Sequence, residues 1–371
     1  PYAGRNYPTR VFWGDTHLHT ELSMDAGAFG VTLDMDDAYR FAKGEEVKAS
    51  GGQPAKLSRP LDFLVISDHS DGMGFFQGIS QGDPTFMAEE LGRRWNKMIN
   101  GGQGVEATLE LINKFSQGEI PWKTNDPKMM KPIWQKVVAA AERHNDPGHF
   151  TAFIGYEWTS LIKGNNLHRV VIYRDDGDLA RQTLPYTNED SSDPEKLWEA
   201  LQAYEDKTGG SVLAIAHNGN MSNGMMFAET TVGGKPLDAD YCRRRMRWEP
   251  LHEATQIKGD GETHPLLSPD DEFADYETWA FGNLDLSEKK TNDMLKFEYV
   301  RSALMMGLEY DAKLGVNPFQ FGLIGSTDSH TALMAVEEDN FFGKHAGSEP
   351  SAERCKHACM ESPNGKIMTW Q

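Results

Sequence analysis

Only three cysteines occur among the 371 residues, Cys242, Cys355 and Cys359. Three cannot make a disulfide framework, and the CKHAC spacing of the last two is not a CxxC metal knuckle, although they could pair outside a regular helix. Basic residues are also in deficit, with 37 Lys and Arg against 56 Asp and Glu and a formal net charge of −19. Nucleic acid is held through Lys and Arg patches, so it is not an expected partner. The one basic cluster, CRRRMRWEP at 242–250, is short and reads as a solvated helix or loop face. No apolar run approaches the roughly 18 residues of a membrane helix, so no membrane partner is expected. Internal repeats and low-complexity linkers are missing too. So is a GxSxG elbow, since neither GHF (148–150) nor GSTDSH (325–330) makes one, and no serine or cysteine nucleophile stands out. The chain opens at Pro1 rather than Met, which suggests a leader removed or left out and makes export an expectation.

What is present suffices for a packed core: 39% hydrophobic and 10% aromatic residues. Apolar, β-branched runs mark strands at 10–14, 61–67, 150–158, 168–174, 211–217, 253–259 and 319–326. Helical periodicity marks 34–43, 86–99, 105–115, 131–144, 193–207 and 288–311. In the fifth of these, Asp193 is placed to cap and Pro194 to take the first helical position. About seven strands interleaved with helices predict an α/β fold of parallel strands, a barrel or an open sheet. The segments 71–149 and 218–318 exceed ordinary crossovers and read as insertions around the rim of a single domain covering 1–371.

Metal-ligand residue types follow the strands. His17, His19 and Asp25 follow the first, in GDTHLHTELSMDAG; Asp68 and His69 end the second, in LVISDHSDG. Glu157 closes FIGYEW, His168 lies in NNLHRVV, His217 ends LAIAH, and Asp328 and His330 end GSTDSH. In a parallel barrel the strands' C-terminal ends share one face, so these side chains can meet in one bowl. Each element alone has an ordinary explanation, such as a capping Asp or a structural histidine. Six of the twelve histidines on one predicted face are harder to explain that way. Imidazole and carboxylate suit Zn, Mn or Fe, and nine ligand-type side chains besides Asp68 exceed the need of one ion, so two or three divalent ions are expected. His144, His149, His345 and His357 lack strand-end placement and read as surface histidines.

The succession of HxH, SDH, GxE, an isolated His, AHN and TDSH resembles the PHP (polymerase and histidinol phosphatase) superfamily, from about residue 10 to 331. Within it the chain is most similar to a branch known only as a domain of unknown function, through EATQIKGDGETHP, HNGNMSNG and NFFGKHAGSEPSAERC. The resemblance implies a distorted seven-stranded (β/α) TIM-like barrel and a metal-dependent phosphoesterase. It implies that His17, His19, Glu157 and Asp328 bind one metal, and that Glu157 bridges to a second held by His168 and His217. Asp25, His69 and His330 would hold a third, with Asp25 where many members place a histidine. Asp68 would orient an imidazole. The resemblance also implies a chain continuing past GKIMTWQ, either truncated here or with its barrel completed elsewhere.

The expected chemistry is attack by a metal-bridging hydroxide on a small phosphorylated substrate. Lys258, in QIKGD, is the candidate for gripping phosphate oxygens; Arg169 is weaker, because a ligand's neighbour in a strand faces the other way. Glu262 and His264 are expected at the rim. A second hypothesis is hydrolysis of carboxylic esters, lactones or amides, for which a carboxylated bridging lysine would be the mark. A third is a catalytically silent metal-binding scaffold. Oligomeric state is not legible.

Overall fold

The computed structural model describes residues 9–354 except 102, 105, 108–109, 112–113, 115–118 and 124, together with the backbone at 360–361 and 367–368. Seven strands form the main sheet: β1 (Gly14–Leu18), β2 (Phe63–Ile66), β3 (Thr151–Trp158), β4 (Arg169–Tyr173), β5 (Val212–His217), β6 (Leu251–Gln256) and β7 (Gly322–Gly325). They lie side by side in chain order, and the stub Gly259–Asp260 pairs antiparallel with the end of β6. The main covering helices are α1 (Met35–Ala42), α2 (Pro127–His144), α3 (Pro194–Thr208), α4 (Ala239–Trp248) and α5 (Val300–Leu314).

The expected closed, all-parallel barrel does not form. The sheet is mixed and curls into a half-barrel. Strand β4 runs antiparallel to both β3 and β5. The cause is local: about a dozen residues are needed to cross over to a parallel strand, and the link between β3 and β4 is shorter. It folds instead as a hairpin, Leu161–Ile162 against Asn165–Asn166, around Lys163 (φ 53°) and Gly164 (φ 81°). Two consecutive positive φ values make the turn that matches strand twist. Nor do β1 and β7 join as strands. Instead β1 meets the residues that follow β7: Leu18 bridges Ser329, His19 N–H donates to Ser329 O (2.9 Å) and Asp328 N–H to His17 O (2.8 Å).

Other boundaries shift for identifiable reasons. The first strand is the polar GDTHL, with the apolar Val11, Phe12 and Trp13 exposed before it, so pairing with β2 outweighs β-propensity. The 86–99 helix splits into Pro84–Met87 and Glu90–Asn100. Of 288–311, only the last part enters α5; Lys290 is drawn instead into a buried ion pair with Glu298. Helix α3 matches its expectation, with Asp193 accepting from Glu195 N–H (2.9 Å), Pro194 at its start and Gly209 (φ 71°) ending it. Part of the 105–115 helix candidate, with Cys355, Cys359 and His357, lies outside the described residues.

The period of two along each strand divides the sheet into two faces. Leu64, Ile66, Ile154, Tyr156, Trp158, Val171 and Tyr173 join the large core under α1, α2 and α3. Val65, Val170 and Ile215, with Phe153, Leu213, Leu251 and Ile324, make a smaller apolar floor.

The 242–250 basic cluster is helical but not wholly solvated. Arg243 and Arg247 are exposed, whereas Arg245 is buried against Phe319 (4.8 Å) and Phe227 (5.4 Å). Glu249 accepts from Arg169 Nε (3.0 Å) and Trp198 Nε1 (3.0 Å) and forms an ion pair with Arg245, whose Nε lies 3.4 Å away. Burial opposes its ionisation, but Arg169 and then Arg245 hold its carboxyl below the usual range. Its contribution is therefore full above about pH 4.3 and lost as pH falls through the folded value. Glu249→Ala should cost roughly 3–5 kcal/mol, since two buried guanidinium groups lose their counter-charge. Urea unfolding checks this, and Glu249→Gln should cost less.

Candidate metal centre

The floor-facing positions of the strands end in ligands. Along β3 they run Phe153, Gly155, Glu157; along β5, Leu213, Ile215, His217; along β6, Leu251, Glu253. A Cβ at Gly155 would sit 2.5 Å from Val65 Cγ1, so glycine lets the floor pack directly beneath Glu157. His168 enters β4 at its N-terminal end. Because β4 is reversed, that end lies with the C-terminal ends of its neighbours, and the hairpin brings this histidine to the bowl.

All nine expected ligands converge. The Glu157 carboxylate is central: Oε2 lies 3.3 Å from His17 Nε2 and 3.2 Å from His19 Nε2, while Oε1 lies 2.9 Å from His217 Nε2 and 2.7 Å from His168 Nδ1. Asp328 Oδ1 lies 3.5 and 3.3 Å from the same nitrogens of His17 and His19. A tetrahedral ion with bonds of about 2.0–2.1 Å has ligand–ligand edges of about 3.3–3.4 Å. These four contacts match such edges. Asp25 Oδ2 lies 2.9 Å from His330 Nε2 and 3.3 Å from His69 Nε2, and His69 Nδ1 lies 3.0 Å from Glu157 Oε2. Among the described residues, four overlapping groups of three place ligand atoms within 4.8 Å of one another. These buried His, Glu and Asp groups could hold a metal ion.

Ring orientation strengthens this fit. Five of the six histidines have Nδ1 beside a polar partner: Glu253 Oε2 for His17 (3.0 Å), Ser23 Oγ for His19 (2.7 Å), Thr159 Oγ1 for His69 (2.8 Å), Asn218 Oδ1 for His217 (3.2 Å) and Asp328 O for His330 (3.0 Å). An Nδ1–H so held leaves the Nε2 lone pair aimed inward, the usual arrangement around a bound ion. The buried Nε2 atoms of His19 and His217 indeed make no hydrogen bond of acceptable geometry, despite carboxylate oxygens near 3 Å. His168 departs from the pattern, with Nδ1 toward Glu157 and a buried Nε2 lacking a partner.

The electrostatics describe a site short of positive charge. Burial opposes ionisation of Glu157, Asp328 and Asp25, yet neighbouring imidazoles (and Lys258 and Lys344 at Asp328) hold all three well below the carboxylate range. Burial likewise opposes charge on His17, but Asp328, Glu253 and Glu157 drive it well above the ordinary value, and His69 rises to about 9. Burial lowers His168 to about 3 and also lowers His217 and His330. A bound cation would supply the charge that protonated imidazoles otherwise provide.

Lys258 also reaches the bowl, its Nζ 2.5 Å from Asp328 Oδ2. Asp68 contacts no imidazole through its carboxylate; it accepts from Thr20 N–H (2.6 Å) and Thr20 Oγ1 (2.8 Å), fixing the loop after β1. Arg169 faces away, as expected, onto Glu249. Glu262 pairs with Arg301, and His264 packs beside Tyr299. His345 is not a surface histidine but buried, 5.4 Å from the His330 ring, and His144 is largely buried, 5.0 Å from Tyr39. Sequence reasoning missed Glu253, Lys344 and Gln256, whose Nε2 donates to Asn218 Oδ1 (2.5 Å) and to Asp328 Oδ2. Glu253 was within reach, two positions after the floor residue Leu251 on an alternating strand. Lys344 follows no strand and carries no such signal.

A family model described as a protein of unknown function, DUF3604, matches residues 6–371. No curated protein and no solved structure matches the chain.

Glu253→Ala should leave the fold intact and weaken binding of Zn or Mn roughly 10- to 100-fold, because His17 loses the partner that sets its tautomer. Isothermal titration calorimetry checks this; unchanged affinity would remove His17 from the metal site.

Proposed function

The chain belongs to the DUF3604 family of unknown function, so its activity has to be read from the site, and we propose a metal-dependent hydrolase of the PHP type. Its reaction would be hydrolysis of a small phosphomonoester or diester. The observation that carries this reading is the division of Glu157, with Oε2 toward His17 and His19 and Oε1 toward His168 and His217. One carboxylate facing two imidazole pairs is the geometry of a bridge between two ions.

In this reading His17, His19, Glu157 and Asp328 hold one ion, Glu157, His168 and His217 a second, and Asp25, His69 and His330 a third. Zn, Mn and Fe all suit the donor set. When bound, such ions supply an activated water and positive charge for phosphoryl oxygens. The chain's own residues do the rest. Glu253, Ser23 and Asn218 keep imidazoles in one tautomer. Lys258 offers an ammonium to an anionic oxygen at the wall of the bowl, a charge-assisted contact. Asp25 and His69 are the most open of the nine ligands, at 24% and 11% side-chain exposure, so substrate would enter from their side. A carboxylate in the bridging position, rather than a lysine, favours phosphoesters over the carboxylic ester, lactone or amide alternative.

The purified chain with Mn or Zn should hydrolyse p-nitrophenyl phosphate or bis(p-nitrophenyl) phosphate, and chelation should abolish the activity. Turnover of p-nitrophenyl acetate alone would replace phosphoester hydrolysis by carboxylic ester hydrolysis. No turnover of any of the three by metal-loaded protein would favour a binding scaffold.

A further inference from the structure

Asp328 and His330 serve different corners of the cluster, yet only one residue separates them. Asp328 Oδ1 faces His17 and His19, while His330 Nε2 faces Asp25. Asp328 adopts a left-handed backbone, φ 50°, unusual for a residue other than glycine. Something outside the segment must hold that conformation, and the surroundings name it. Lys344 Nζ donates to the Asp328 carbonyl, to Asp328 Oδ1 (2.6 Å), and lies 2.9 Å from His330 Nδ1. Two of the ammonium's three donors thus reach Asp328, and the third has an acceptor in His330 Nδ1 when that nitrogen carries no proton.

The segment carrying Lys344 is itself built to deliver it. His330 N–H donates to Lys344 O (2.8 Å), and His330 bridges His345 in parallel. Gly343 (φ 80°) turns the chain where a Cβ would lie 2.4 Å from Ser348 Oγ, and Ser348 closes the turn by donating to His345 O (2.8 Å). The lysine is almost wholly buried, beyond reach of bulk substrate. Its contacts join Asp328, through the carbonyl and Oδ1, to His330 Nδ1, whereas Lys258 pairs with the other carboxylate oxygen, Asp328 Oδ2.

We propose that Lys344 is a positioning residue for the metal centre, its ammonium fixing the turn that presents Asp328 to one ion and His330 to another. The proposal rests on the metal reading above. His330 can take two tautomers, of which only the first gives all three ammonium donors an acceptor. In one, Nδ1 accepts from Lys344 and Nε2–H donates to Asp25. In the other, Nδ1–H donates to the Asp328 carbonyl and Nε2 is free for an ion.

The test is loading with Zn2+ alone and Co2+ alone, for wild type, Lys344→Met, Lys344→Gln, Lys344→Arg and Ser348→Ala. Ion count is read by elemental analysis, affinity by calorimetry and ligand geometry by the Co2+ visible spectrum. Lys344→Met and Lys344→Gln should bind at least one ion fewer, or roughly 10- to 100-fold more weakly, with altered Co2+ bands. Lys344→Arg should recover part of this. Ser348→Ala removes one closure of the same turn but leaves the ammonium in place, so it should move loading and spectrum less than Lys344→Gln does. Wild-type loading and spectrum in a folded Lys344→Gln would overturn the positioning role alone. A wild-type chain that binds neither metal would overturn the metal reading itself.

Discussion

Removing a carboxylate from water costs several kcal/mol unless partners replace the lost hydration, and Glu157 is fully buried. Imidazoles from four separate segments surround it: His17, His69, His168 and His217. The rest of the bowl follows from satisfying that one group. The apolar floor excludes water from below, Gly155 lets the floor rise to it, and Glu253 sits behind His17. Charge of this density, held where water cannot screen it, needs positive charge beside it, and these buried groups could hold a metal ion in that role.

The reversal of β4 shapes how the ligands assemble. A regular parallel repeat would have carried His168 to the far end of its strand's neighbours. The Lys163–Gly164 turn instead returns the chain at once, so His168 and Glu157 face each other as neighbours across a hairpin. The same interruption of the strand–helix repeat accompanies an open half-barrel. Its two edges touch where β1 meets residues 326–329, and there a buried lysine from a later segment contacts Asp328.

Much of the site was legible because strand ends advertise themselves. An apolar run with period two, closed by His or Glu, states both the strand and the side it serves; FIGYEW and LAIAH are examples. Such a reading depends only on neighbours in the chain. The closed barrel was not a safe inference, since strand direction depends on connection length and turn chemistry. The signal for the reversal, LIKGNN between two strands, was present but is short. The first strand was misplaced because RVFWG has the stronger β-propensity, whereas GDTHL has the better partner in β2. Arg245 and His345 looked like surface residues, because nothing local says that another element will cover them.

By itself, then, the order of residues pointed to the groups that meet in the bowl: nine ligand-type side chains at or after strand ends and a lysine two residues beyond the sixth strand. These follow from side-chain type and local periodicity, which a single segment contains. Tertiary structure alone decided which oxygen of Glu157 meets which histidine, and that Glu253 and Lys344 lie against the ligands. Whether the partners are 236 residues apart, as His17 and Glu253 are, or 16, as Asp328 and Lys344 are, the geometry of these contacts is set by packing.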